Sequence, residues 1–385
     1  MQVRYFFASA LILLGCGGGD GDMDIGDPGG DAGDPPDPSA SIYDDPLERL
    51  DSLATGIADG LSGIEEIRAL SDGRLVYCTT RAGVVVVDAS DPLGLSEATR
   101  IDTGPCQHLA ASGSRLYVAH RGDVNDPESR ITTWDLGQSP PVLLDTFTRA
   151  GTTFEGLTAS GAMVYAAARD RGVAVLEWNG SELAERAMFA DGVVNGWGVA
   201  VADTTLYVAD AAGGLVVVDV SDPTAPVRSG GVSVFGSPNA VVLGDGGDSA
   251  LAYVSAGYAG ISVIDVSDAT APREVGFAEM PGSAQQLDYR DGHLFVAALH
   301  DVRVFDVSTP AQPALVATEF FAPQTGTPRV RAVAAREDAV FIGEWSALYS
   351  AQLTPDRLAP DLWTRNTSVG FFNVGAGQTD SFALP

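Results

Sequence analysis

Apolar residues in this chain come in short runs broken by Gly, Asp, Pro and Ser, and one of these runs belongs to a phrase that repeats. Gly214-Leu215-Val216-Val217-Val218-Asp219-Val220-Ser221-Asp222-Pro223 returns as Gly260-Ile261-Ser262-Val263-Ile264-Asp265-Val266-Ser267-Asp268, with weaker copies at 83–92 and 302–310. Val and Ile crowd a pleated strand well, while Asp-Pro and Gly bend the chain between runs. A fixed-period apolar repeat of this kind predicts one small unit of sheet copied around a ring or along a stack.

The strand that precedes the phrase aligns seven units: Leu75-Val76-Tyr77-Cys78, Leu116-Tyr117-Val118-Ala119, Met163-Val164-Tyr165-Ala166, Leu206-Tyr207-Val208-Ala209, Ala252-Tyr253-Val254-Ser255, Leu294-Phe295-Val296-Ala297 and Val340-Phe341-Ile342-Gly343. Their spacings of 41, 47, 43, 46, 42 and 46 residues suit four short strands and four turns per unit. In the fourth unit Gly198-Val199-Ala200-Val201 leads to the Leu-Tyr-Val-Ala strand, a Gly-bearing turn leads to Val-Val-Val-Asp, and a fourth strand follows Ser-Asp-Pro. Each unit is therefore expected to be a four-stranded antiparallel sheet. These phrases resemble the LVIVD repeat family of bacterial propeller proteins over roughly 46–353, most closely in the fourth and fifth units and less so in the first and sixth. In the second, third and seventh units Trp134-Asp135-Leu136, Leu176-Glu177-Trp178 and Ala351-Gln352-Leu353 replace the phrase. The resemblance implies an all-β fold, a seven-bladed β-propeller spanning 46–357, and carries no settled activity. WD40 repeats share the period, but a single Trp134-Asp135 is too little for that likeness.

A ring of sheets must hide its last edge, because an open strand row invites other chains to pair. Pro46-Leu47-Glu48-Arg49-Leu50-Asp51-Ser52-Leu53 reads as a fourth strand placed ahead of the first strand of unit one at 64–70. It is expected to complete the seventh blade from outside; 358–364 is the competing segment. After Pro360 the register is lost. Asp361-Leu362-Trp363, Val369-Gly370-Phe371-Phe372-Asn373-Val374 and Ser381-Phe382-Ala383-Leu384 resemble the opening strands of an immunoglobulin-like module. The tail 358–385 either packs on the propeller or begins a further domain for which the propeller would be a stalk.

At the other end, Arg4 precedes an apolar stretch over 5–14 that is too short to span a bilayer as a helix, so 1–15 reads as an export signal. Leu13-Leu14-Gly15-Cys16 resembles the lipobox of bacterial lipoproteins, which implies cleavage before Cys16, a diacylglycerol on its thiol and attachment to a membrane. Gly17 follows where some inner-membrane lipoproteins carry Asp, so outer-membrane placement is expected, on the periplasmic side or at the cell surface. The linker over 16–45 is rich in Gly, Asp and Pro and has no base, which makes it a self-repelling tether. Asp20-Gly21-Asp22-Met23-Asp24 starts like a calcium loop, but Ile25 and Asp31 stand where that loop needs Gly and Glu.

The formal net charge is −29, and every basic side chain other than histidine is Arg. Such a surface repels nucleic acid, which is therefore not an expected partner. Candidate chemistry sits where the first strands begin. Matching the units there selects Glu65, Gln107, Glu155, Trp197, Asn239, Gln285 and Arg331, with Glu66, His108 and Gln286 beside them. A water-filled tunnel mouth tolerates polar side chains in any case. The same set, with Trp197 for stacking and Arg331 for charge, suits a small ligand or a peptide end. Glu65, Glu155 and Asn239 also compose an oxygen set of the kind that holds Ca²⁺; no other cofactor is expected.

None of His108, His120, His293 and His300 falls in a metal-ligand pattern, and His120 and His300 are expected in surface loops at the ends of second strands. No nucleophile elbow, phosphate loop or Cys-x-x-Cys occurs. Asp88, Asp135, Asp219, Asp265 and Asp306 recur at the end of the third strand, so they belong to the fold as acceptors for turn amides. Cys78 ends a second strand and Cys106 begins the first strand of the next unit; they form either a disulfide or two separate buried thiols. The expected function is non-enzymatic binding or scaffolding of an unknown protein or small molecule at the cell envelope. A calcium-dependent hydrolase or lactonase is the alternative.

Overall fold

The computed structural model describes residues 47–54, 63–120, 129–244, 250–280, 282–320, 329–345 and 347–353. Among these residues there are seven four-stranded antiparallel sheets and no helix. The first strands of the seven blades are Ile64–Ala69, His108–Ser112, Gly156–Ser160, Gly196–Ala202, Ala240–Leu243, Gln286–Arg290 and Ala332–Ala335. Each packs against the first strands of the blades before and after it, and the last packs against the first. The ring therefore closes at seven, with these strands walling a central tunnel.

Second and third strands are buried on both faces, which explains their unbroken apolar runs. Leu75 to Cys78 and Val84 to Val87 have no solvent exposure. Successive side chains point to opposite faces, so each run is shared between two gaps. Leu75, Tyr77, Val85 and Val87 meet Ala332, Phe341 and Leu348 of blade seven, while Val76, Cys78, Val84 and Val86 meet Leu109, Leu116 and Val118 of blade two. The core is thus seven apolar wedges, one per gap between blades.

The pairing corrects the expected alignment in one place. Ala119, Ala167 and Ala209 oppose His108, Gly156 and Gly198, which makes Tyr165, not Val164, the counterpart of Tyr117. That aromatic position faces the following blade in blades two to seven. In blade one the aromatic is one residue later, and Tyr77 faces back into the gap with blade seven.

Blade seven is completed by the N-terminal strand. Leu47–Ala54 pairs antiparallel with Ala347–Leu353, from Leu47 opposite Leu353 to Ala54 opposite Ala347. In the other six blades the fourth strand carries one extra residue opposite the third, at Ala98, Leu144, Arg186, Ser229, Val275 and Val316. Leu50 is the same extra residue in 47–54. Such a bulge increases the local twist, and its presence marks 47–54 as a full member of the repeat. The strand also ties its blade to both neighbours. Arg49 Nε and Nη2 donate to Glu319 Oε1 at 2.8 and 2.6 Å, and Asp51 Oδ2 accepts from the Leu95 amide at 2.8 Å. The export signal, Cys16, the tether and the tail with its competing segment 358–364 lie outside the described residues.

Candidate ligand site at the tunnel mouth

The seven mouth positions are structurally equivalent. Gln107, Glu155, Asn239, Gln285 and Arg331 donate their backbone N–H groups to the carbonyls of Ala119, Ala167, Ser255, Ala297 and Gly343. Glu65 and Trp197 occupy the same place as bulged residues, because Ile64 and Glu66 pair with the adjacent Thr79 and Cys78, and Gly196 and Gly198 with Asp210 and Ala209. A bulge re-aims the side chain it carries. A cavity of about 280 Å³ opens here, lined by Glu65, Glu66, Arg68, His108, Glu155, Trp197, Asn239, Gln285 and Gln286, among others. That is close to the lower end of the ~300–1,000 Å³ usual for small-molecule pockets. Gln107 and Arg331 stand in the same register but outside this lining.

Each glutamate at the mouth is met by a cation. Arg331 Nη1 donates to Glu65 Oε1 at 2.7 Å. Arg169 holds Glu155 Oε1 through Nε and Nη2, and its guanidinium carbon lies 5.1 Å from the centre of the Trp197 ring, within cation–π range. Arg68 pairs with Glu66 Oε1, while Glu66 Oε2 accepts from the Leu109 amide at 2.9 Å and from His108 Nδ1 at 3.0 Å. Burial pushes the Glu66 carboxyl up, but Arg68, His108 and the Leu109 amide together outweigh it and hold the group below its ordinary value.

Further in, these side chains solve a backbone problem. First strands are the inner edge of every blade, and their outward N–H groups need partners. Glu66 serves Leu109, and Asp288 Oδ2 accepts from the Ala335 amide at 2.8 Å. Gln286 Oε1 accepts from Val333 N at 3.2 Å and Ile67 N at 3.4 Å, and Gln286 Nε2 donates to Ile67 O at 3.1 Å. Gln286 thereby links blade six to blades seven and one. Burial raises the Asp288 carboxyl above the usual range despite the amides it accepts.

Arg68, Arg169 and Asp288 were not singled out in the sequence. Arg169 sits in the turn between second and third strands with φ 50°, outside the aligned phrases, and its role comes from its contacts with Glu155 and, across the gap, with Trp197. Asn239 Oδ1 accepts from Ser255 Oγ, and Asn239 Nδ2 donates to Ala284 O at 3.2 Å. All three members of the calcium set, Glu65, Glu155 and Asn239, therefore have protein partners. Among the described residues no group of three or more His, Cys, Asp and Glu is placed to hold a metal ion.

His120 is not a surface residue: it is 1% exposed, with Nδ1 on Pro105 O at 2.7 Å and Nε2 on Thr132 Oγ1 at 2.9 Å. Its strand ends beneath the loop that enters blade two, which covers it. His300 is exposed, and His293 Nδ1 lies 3.0 Å from Asp291 O. Cys78 and Cys106 are joined by a disulfide with their Cα atoms 5.5 Å apart. Asp88, Asp135, Asp219, Asp265 and Asp306 each accept the backbone N–H two residues on, at 3.1, 2.9, 2.8, 3.0 and 2.9 Å.

The LVIVD repeat model matches 195–234, 250–278 and 281–318, which correspond to blades four, five and six. No curated protein sequence matches the chain. Among solved structures it is similar to the WD40 β-propeller domain of Doa1, with TM-score 0.60 and 12% identity over 81% of this chain and 99% of that one. The computationally designed Ika8 protein matches with TM-score 0.52 and 14% identity over 80% and 99%. A protein from Lactobacillus plantarum matches with TM-score 0.59 and 17% identity over 70% and 88%. At these identities the likeness is one of fold alone.

Proposed function

We propose that this LVIVD-repeat propeller is an exported, lipid-anchored module of the cell envelope that binds a protein or small molecule at its tunnel mouth without converting it. The observation that carries this reading is a contrast between equivalent positions. Where the fold needs a residue the chain repeats it, as with the five third-strand aspartates that accept turn amides. At the mouth the seven equivalent positions hold Glu, Gln, Glu, Trp, Asn, Gln and Arg, a set that packing does not require and that makes an asymmetric, polar rim around a cavity. Leu47 and Leu353 are paired at the end of blade seven remote from the mouth, so the rim is clear of the strand that closes the ring.

Against the hydrolase alternative, the oxygens a calcium ion would need are engaged by Arg331, Arg169 and Ser255. Metal analysis of protein purified without chelator is expected to find no stoichiometric cation; one bound per chain would restore that alternative. Anchoring is tested by fatty-acid labelling in a bacterial host, where the full chain is expected to take up label and Cys16→Ser to lose it. Binding is tested by capture from the envelope with the full chain and with Trp197→Ala. A partner retained equally by both, at equal melting temperature, would reject the mouth as the contact surface.

A further inference from the structure

At the mouth the carboxylates and the cations are not equally exposed. The Glu65 side chain is 7% exposed and its partner Arg331 36%; for Glu155 and Arg169 the figures are 0% and 39%. Glu66 is 5% exposed, against 38% for Arg68 and 29% for His108. The acids are set into the wall and the cations stand in front of them. Arg273–Asp265 and Arg49–Glu319 show the same layering singly elsewhere on the surface, and Arg100–Glu97 and Arg186–Glu177 are about evenly exposed; at the mouth the layering is repeated at three acids around one cavity.

A carboxylate behind an arginine fixes the guanidinium while leaving the remaining N–H groups of its fork directed away from that carboxylate. Arg331 uses Nη1 on Glu65, and Arg169 uses Nε and Nη2 on Glu155 while lying over Trp197. His108 has Nδ1 on Glu66, which leaves Nε2 as its second polar atom. The surface offered to a ligand is thus one of fixed donors beside an aromatic ring, on a molecule whose formal charge is −29.

We infer that the mouth takes a small organic carboxylate, its oxyanion held by the cations that front the mouth acids, Arg68 and His108 in the cavity lining and Arg169 and Arg331 paired to lining glutamates, and its apolar or aromatic body lying against Trp197. This inference rests on the reading of the mouth as the binding site and adds the ligand class. The charge of the whole molecule does not forbid it. Charges beyond about 8 Å are screened at physiological ionic strength, whereas a fork N–H acts at hydrogen-bond distance. One consequence separates this site from an ordinary basic groove. Added salt screens the long-range repulsion more than the contact, so affinity holds or rises with ionic strength.

The test uses the full chain and three probes of one shape: benzoate, benzyl alcohol and benzylammonium. Each is titrated while the Trp197 indole resonance is followed by NMR, assigned with Trp197→Phe. Benzoate is expected to shift that resonance saturably, with at least a tenfold weaker response to the other two. Arg331→Lys and Arg169→Lys keep the charge but lose the fork, and are expected to weaken benzoate several-fold at unchanged melting temperature. A response to benzyl alcohol or benzylammonium equal to that for benzoate would overturn the ligand class and leave the mouth reading standing. Silence of the indole toward all three would also overturn the ligand class, while the mouth reading itself is decided by the Trp197→Ala capture.

Discussion

At the scale of single residues, the repeat sorts side chains into those the fold uses and those it leaves to chemistry. Asp265 shows the first kind. Its carboxylate accepts from Ser267 Oγ and N at 2.6 and 3.0 Å and from Arg273 at 2.7 Å. These bonds, Ser267 first, lower its pKa to about 2. A depressed carboxyl contributes stability that is present above its unfolded value, about 3.9, and is lost as pH falls toward the folded value. The wild-type chain is therefore expected to melt above Asp265→Asn at pH 7, with the gap closing between about pH 4 and pH 2 in paired thermal melts. Glu66 shows the second kind doubling as the first. Replacing it by Ala strips the Leu109 amide of its acceptor, a loss of about 1–3 kcal/mol in denaturant titration. The seven mouth positions were legible because a repeat can be aligned with itself. Arg68 and Arg169 were not: Arg68 donates across the gap to Leu109 O at 3.2 Å as well as pairing with Glu66 on its own strand, and Arg169 reaches Trp197 of the next blade.

Among the elements, the strand Leu47–Ala54 bears most on stability. Without it the third strand of blade seven becomes an open edge, and the Arg49–Glu319 and Asp51–Leu95 ties to both neighbouring blades disappear. Deleting 47–54 is expected to lower the melting temperature and broaden the transition by calorimetry; an unchanged melt would show that another segment closes the ring. Its role could be read from Leu-Glu-Arg-Leu-Asp-Ser-Leu standing ahead of unit one. Its bulge at Leu50 could not, because a bulge is a mismatch between two strands and exists only once they pair. Close approach of neighbouring first strands is equally silent in sequence. A Cβ on Gly198 would lie 2.8 Å from Asn239 O and Ala240 Cα, so Gly198→Ala is expected to cost about 1–3 kcal/mol, measured by denaturant unfolding.

For the whole molecule, stability comes from seven gaps in series, and the gap between blades one and two carries a covalent staple. Cys78 and Cys106 are 28 residues apart in sequence, and closing a loop of that size restricts the unfolded chain by about 3.5 kcal/mol on the chain-entropy model. Reduction is expected to lower the unfolding midpoint by a corresponding amount, and denatured, unreduced chain is expected to show no free thiol at these two positions. The number of blades and the order of strands within them were determined by the sequence alone; for the strand that closes the ring it offered two segments, and the pairing of 47–54 with 347–353 decided between them. Short apolar runs, turn residues and the repeated phrase are local properties that each unit states separately. Only the tertiary structure decided which cation stands before which acid, where Gln286 reaches, and that His120 is covered. Partners drawn from different blades, such as Arg331 and Glu65, 266 residues apart, are set by the angle between blades, so no local pattern encodes their meeting.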